Sequence, residues 1–229
     1  MNILYKEKLH TQLFTVYLLP LAPSLTTDAA VRALLADCMA PQRAVPGSTW
    51  QISSLLDKPY SMCICTDSSQ TSIPKKETAM PCSDFGQWSI SRSENGRPYF
   101  ADHPEVCFSV SHSGTYMAVA FCGRPVGVDL QEHVTKKEEP PYKAAQRLKK
   151  IAQRFFNPLD AAYVCRPDIS PDETINRFYN AWTAAESYAK CTGLGLSRTL
   201  GKTALLGGAG ENIAPGSGWQ CGGYSFFML

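Results

Sequence analysis

The 229-residue sequence is poor in charge and has no apolar run of membrane-spanning length. Charged side chains make up 18% of the chain, below the roughly 25% of an average soluble domain. They nearly cancel, 22 basic against 20 acidic for a net +2, so bulk electrostatic attraction to nucleic acid is not expected. With 16 glycines and 16 prolines, the chain is neither low-complexity nor collagen-like. The longest apolar run, Leu13 to Ala22, is about half of the roughly 20 residues needed to cross a bilayer. Lys6 and Lys8 ahead of it give it the outline of a secretion signal, but Thr15, Tyr17 and Pro20 interrupt the run. A buried first strand is the better reading. No CxxC pair or Cys/His cluster occurs, and the nine cysteines are odd in number and scattered. Neither a disulfide framework nor a zinc site is indicated; reduced thiols in a cytoplasm are expected.

What is present is an ordinary 44% of hydrophobic residues, enough chain for one large or two small domains. Asp28 to Met39 has helical spacing, with Asp28 as a candidate N-cap. Residues 66 to 87 are rich in Ser, Thr, Pro and Lys and read as a loop. From Trp88 onward the signals sharpen. Asn95-Gly96 is the dipeptide favoured in type I′ hairpins, and Val106–Val110, Thr115–Cys122 and Val126–Leu130 read as an antiparallel meander. Pro141 opens a helix with an apolar stripe through Ala144, Leu148, Ile151, Ala152, Phe155 and Phe156, ended by Asn157-Pro158. Ser170-Pro171-Asp172-Glu173 has the form of a capping box, and Gly193 is the natural stop of that helix. The glycine-rich tail carries one or two short strands near Phe226-Phe227. The pattern is α+β.

Three polar constellations interrupt this framework. Ser109-Val110-Ser111-His112-Ser113-Gly114 offers short donors suited to phosphate oxygens, or else caps its own turn. In Gly127-Val128-Asp129-Leu130-Gln131, strand alternation puts Asp129 and Gln131 on one face. An acid there can hold a hard cation such as Mg²⁺ or cap the following loop. Trp182, Glu186 and Lys190 line one helical stripe, where Glu186 and Lys190 could equally form an exposed i,i+4 pair. Hydrolase chemistry is disfavoured: no GxSxG elbow exists, and Ser111 and His112 point to opposite faces. Gly193-Leu194-Gly195-Leu196 follows a helix, not a strand, and is no dinucleotide loop.

In this order, Gly96-Arg97-Pro98, Phe108–Ser113, Gly127–Gln131 and Phe178–Leu196 resemble the signature of the 4′-phosphopantetheinyl transferases, specifically the longer, single-chain surfactin-type branch. The resemblance implies an α+β fold of two similar subdomains related by pseudo-twofold symmetry. Residues 1–122 would form the half on the coenzyme A nucleotide side, and 123–229 the half that binds metal and carrier. It implies Mg²⁺-dependent transfer of the phosphopantetheine arm of coenzyme A to a serine of an acyl or peptidyl carrier protein, releasing adenosine 3′,5′-bisphosphate. A catalytically degenerate relative that binds coenzyme A or carrier is the alternative.

Residue by residue, the resemblance makes Asp129, Glu186 and Gln131 the metal set. Arg97, Ser111, His112 and Lys190 would bind coenzyme A, and Glu186, Lys190 and Asp160 would be catalytic. Asp160 enters as the acid following Arg154-Phe155-Phe156, where the family carries a proposed general base. Gln131 stands where an acid is usual, which implies weaker metal affinity, and Ala185 replaces a usual lysine. Seven basic residues between Lys136 and Arg154 against Glu138 and Glu139 form either a docking face for an acidic carrier or a solvated helix surface. A cytoplasmic monomer without nucleic-acid or membrane partners is expected.

Overall fold

A computed structural model describes residues 7–10, 14–39, 60–67, 85–207, 218–221 and 224–228. Two four-stranded antiparallel sheets form its centre. The first has the order β1 (Glu7–His10), β2 (Phe14–Pro20), β7 (Tyr116–Cys122), β6 (Cys107–Ser113). The second has the order β8 (Val126–Glu132), β3 (Tyr60–Asp67), β10 (Tyr224–Met228), β9 (Gly218–Cys221).

Period-two alternation sorts the apolar side chains into three cores. Val16, Leu18, Ala118 and Ala120 of the first sheet meet Met62, Ile64, Val128 and Leu130 of the second. The other face of the first sheet, through Tyr17, Leu19, Met117, Val119 and Phe121, packs on α1 (Thr27–Met39), Trp88 and Phe100. The other face of the second sheet, with Cys63 and Cys65, is covered by α2 (Pro141–Phe155), α3 (Pro158–Val164) and α4 (Pro171–Thr192). Cys63, Cys65, Cys107, Cys165 and Cys191 carry free thiols. Burial pushes the Cys63 thiol up to about 12, so it packs as a small apolar group.

Several sequence expectations need correction. The meander breaks after β7, whose two edges are already taken by β2 and β6. Strand β8 therefore starts the second sheet, pairing with β3 in the register Cys63↔Asp129. Strand β3 precedes residue 122 in the chain yet lies inside the second sheet.

The β4 (Ile90–Arg92) and β5 (Pro98–Phe100) hairpin exists, but Asn95 does not have the positive φ of a type I′ turn. The Gly96 amide instead donates to the Ser93 carbonyl, Ser93 pairs with Arg97, and Gly96 alone takes φ +77°. This is a three-residue loop with a glycine bulge. The α1 cap is Thr26, whose hydroxyl accepts from the Ala29 amide at 3.3 Å, and not Asp28. Phe155 of the expected apolar stripe is 48% exposed. Asn157 ends α2 as expected and also caps α3, accepting from the Leu159 amide; that short helix lacks the length for a periodic signal. The expected loop 66–87 lies mostly outside the described residues.

Candidate functional site

Helix α4 is positioned by its ends. Ser170 accepts from the Glu173 amide at 3.1 Å, Pro171 fills the first helical position, and Gly193 closes the helix with φ +71°. Glu173 turns to Arg177 at 2.7 Å, so the capping box is only half formed. At the other end the β4–β5 hairpin supplies donors to the last carbonyls: Arg97 to Cys191 at 3.0 Å and Asn95 to Gly193 at 2.8 Å. On the flank, a Cβ built at Gly127 would stand 1.9 Å from the Ser187 carbonyl oxygen. Glycine is thus what lets β8 lie directly on the α4 backbone, and it puts Asp129 beside the Glu186–Lys190 stripe.

Edge strand β6 meets edge strand β8 through serine side chains. Ser109 Oγ accepts from the Val128 amide at 3.0 Å, and Ser113 Oγ accepts from the Glu132 amide at 2.9 Å. Ser111 Oγ, between them, donates to Asp129 Oδ1 at 2.8 Å. The alternating serines therefore cover two open sheet edges that backbone pairing leaves unsatisfied.

The cleft opens along this seam. Its larger chamber, about 460 Å³, runs from Thr27 and Arg92 past Arg97 and Phe108 to His112, Glu186 and Lys190. A smaller chamber of about 340 Å³ adds Ser111, Asp129, Gln131 and Trp182. The two share Val110, His112, Glu186 and Lys190 as lining, and each is within the usual size range of ligand sites.

Asp129 is buried. Its Oδ1 accepts from Lys190 Nζ at 2.7 Å as well as from Ser111, while its Oδ2 is buried without any partner. Lys190 also donates to the Val128 carbonyl at 3.1 Å, so the alternative of an exposed Glu186–Lys190 pair does not hold. Glu186 is half-buried and makes no hydrogen bond or ion pair among the described residues. Burial first, then the Asp129 charge, pushes the Glu186 carboxyl above its usual range, against the pull of Lys190. Burial likewise raises Asp129, against Lys190 and Ser111. Gln131 donates its amide nitrogen to Ser113 Oγ and to the Glu132 carbonyl, leaving the amide oxygen as its remaining polar end.

This set fits a hard divalent cation. It offers an orphaned buried carboxylate oxygen, a second carboxylate held near it at electrostatic cost, and an amide oxygen on the same strand face. No cluster of three or more His, Cys, Asp or Glu side chains suited to a metal occurs among the described residues. Mg²⁺ takes one or two protein carboxylates and completes its shell with water and substrate phosphates.

The structure brings together Arg97, Ser111, His112, Asp129, Gln131, Glu186 and Lys190. It does not bring Asp160. That carboxylate is buried and accepts from the backbone amides of Leu205, Leu206 and Gly207 at 2.7–3.1 Å. It pins the segment after α5 (Leu196–Thr199) to α3 and lines neither chamber. Ser111 is also placed differently from the expectation that it touches phosphate, since its single proton goes to Asp129. Arg92 and Thr27 line the cleft without having been singled out from the sequence. Arg92 carried no motif, and only its position on the hairpin brings it there.

The profile of the 4′-phosphopantetheinyl transferase superfamily matches residues 125–206, from the start of β8 to the segment held by Asp160. The chain is 33% identical over 111 residues to the 4′-phosphopantetheinyl transferase Sfp of Bacillus subtilis, covering 48% of this chain and 44% of that protein. It is 34% identical over 111 residues to the 4′-phosphopantetheinyl transferase ffp of the same species, with the same coverage. To the 4′-phosphopantetheinyl transferase gsp of Aneurinibacillus migulanus it is 29% identical over 105 residues, 46% of this chain and 38% of that one. The chain thus spans less than half the length of the curated relatives it matches. Residues 125–206 are thus similar to the 4′-phosphopantetheinyl transferase superfamily, and the relatives that extend the likeness are of the Sfp type.

Proposed function

We propose that this protein transfers the phosphopantetheine arm of coenzyme A to a serine of an acyl or peptidyl carrier protein, with Mg²⁺ in the cleft. The observation that carries this reading is the unpartnered Oδ2 of buried Asp129, beside an unpaired Glu186 and below a cleft edged by Arg92, Arg97 and Lys190. The two four-stranded antiparallel sheets support a division into two similar halves, with the cleft running between β6 and β8.

In this reading the carrier serine oxygen attacks the phosphorus that bears pantetheine. The bond from that phosphorus to the bridging oxygen breaks, and adenosine 3′,5′-bisphosphate leaves with the bridging oxygen. The reaction is largely one of positioning and charge stabilisation. Asp129, Glu186 and the Gln131 amide oxygen would hold Mg²⁺, which supplies charge neutralisation at the pyrophosphate. Lys190 brings an ammonium to the same end of the cleft, where charge develops on the leaving oxygen. Arg97 and His112 line the path of the nucleotide phosphates. With Asp160 committed to three amides, Glu186 is the carboxylate of the cleft available to receive the serine proton, directly or through a water.

The carrier would approach along α2. Lys143, Lys150 and Arg154 are exposed there, while Arg147 is held by Glu139 at 2.8 Å. A cytoplasmic monomer is the state this reading assigns.

The test is incubation of the protein with apo carrier, coenzyme A and Mg²⁺, followed by intact mass of the carrier. A gain of one phosphopantetheine arm that disappears with chelator and in Glu186→Ala supports the transferase. Coenzyme A binding without any gain on several carriers would instead favour a non-catalytic relative, the reading that Gln131 in an acid's place would suit.

A further inference from the structure

Two donors converge on one oxygen of Asp129 and none on the other. Ser111 Oγ and Lys190 Nζ both reach Oδ1, at 2.8 and 2.7 Å, and Oδ2 is buried with no partner. The two donors differ in rigidity. Lys190 sits at the end of a four-carbon stem, and its ammonium, shared with the Val128 carbonyl at 3.1 Å, can shift with the carboxylate. Ser111 cannot: its backbone is fixed in β6, opposite Ala118 of β7, and its side chain is buried between the sheets. A carboxylate torsion is broad and two-fold, so an unrestrained Asp129 could present either oxygen or lie between.

We propose that Ser111 is a positioning residue for the metal. By fixing Oδ1, it reserves Oδ2 of Asp129 as the oxygen that faces the cation. This rests on reading the cleft as a Mg²⁺ site, and it moves Ser111 from the phosphate contacts to the support of a metal ligand. Such outer partners orient ligands and tune affinity.

The seam contains its own control. Ser109 stands two residues away on the same face of β6 and bonds the Val128 amide, not Asp129. Removing its hydroxyl weakens the β6–β8 junction and leaves the Asp129 carboxylate untouched.

The experiment is Mn²⁺ titration of the full-length protein without coenzyme A, followed by the electron paramagnetic resonance signal of free Mn²⁺, with melting in chelator recorded alongside. Ser111→Ala is expected to raise the Mn²⁺ Kd about tenfold, Ser111→Thr to restore it, and Ser109→Ala to leave it as in the unaltered protein. Ser111→Cys, which keeps the volume but is a weak donor, serves the same comparison if alanine loosens the seam. The proposal is overturned if Ser111→Ala and Ser111→Cys both bind Mn²⁺ as tightly as the unaltered protein. It is equally overturned if Ser109→Ala weakens binding as much as Ser111→Ala. If the unaltered protein takes up no Mn²⁺, the metal reading itself falls, and the positioning role with it.

Discussion

Asp160 and Glu186 are both acids of the helical half, and their surroundings give them opposite tasks. Asp160 accepts from three backbone amides, those of Leu205 and Leu206 buried and that of Gly207 half-buried. Asp160→Ala should therefore lower stability by about 3 kcal/mol, since each buried N–H left unpaired costs about 1–3. Chemical denaturation reads this directly. A base at Asp160 would instead show as lost turnover with unchanged stability.

Glu186 is held with its proton affinity raised. A carboxylate whose folded value lies above its unfolded one contributes stability that is complete below the ordinary carboxylate range. That contribution is lost as pH rises through the raised value. In chelator, Glu186→Gln is accordingly expected to melt higher than the unaltered protein at pH 7 and to match it near pH 4. Added Mg²⁺ should stabilise the unaltered protein and not the variant. Differential scanning fluorimetry across pH, with and without metal, checks all three expectations.

Among the elements, β8 carries the strictest demand. Gly127 lies where a Cβ would overlap the Ser187 carbonyl, and no side-chain rotation relieves a clash with backbone. Gly127→Ala should cost about 3 kcal/mol or more and displace Asp129 from the stripe on α4, read as a lower melting temperature with lost metal uptake.

The far end of β8 is tied by His133, which bonds Ser61 Oγ at 2.8 Å and stacks on Tyr179. Burial lowers His133 to about 4, so the folded protein resists a proton that the unfolded chain accepts. Its contribution falls as pH drops from about 6.5 toward 4, opposite in sign to that of Glu186. His133→Gln should flatten this acid-side loss in a pH series of denaturation curves.

The elements also show what could be read in advance. Helix α4 was legible because caps and spacing agree, and β6, β7 and β8 because β-branched and aromatic runs lie between turns. Strand β3 was not: Tyr-Ser-Met-Cys-Ile-Cys-Thr-Asp has no turn punctuation, and both its partners lie beyond residue 125. Asp129 with Gln131 could be grouped by strand periodicity and Glu186 with Lys190 by helix periodicity, but only the family resemblance joined the two pairs. The role of Asp160 could not, because it depends on amides some forty-five residues downstream. Nor could that of Ser111, because nothing local says that β6 abuts β8.

On the scale of the whole molecule, charge is distributed unevenly although the total is close to neutral. The exposed lysines and arginine of α2 lie in the helical layer, apart from the Asp129 end of the cleft. If they steer an acidic carrier, replacing Lys143 and Lys150 by Glu should raise KM for the carrier about tenfold at low salt. Coenzyme A affinity should be unchanged, and the difference should shrink as salt screens it. Steady-state kinetics at two ionic strengths, paired with calorimetric coenzyme A binding, checks this.

Strand β3 also governs when the molecule can be finished. It lies between β8 and β10, with Cys65 opposite Gly127 on one side and Phe226 on the other. A chain emerging from the ribosome can complete the first sheet once residue 122 is out. The second must wait for Tyr224–Met228 before β3 has both neighbours. Such long-range pairing is slow, and until then one edge of β3 is open to strands of other chains. The arrival of β10 thus decides whether the second sheet closes on itself or aggregates.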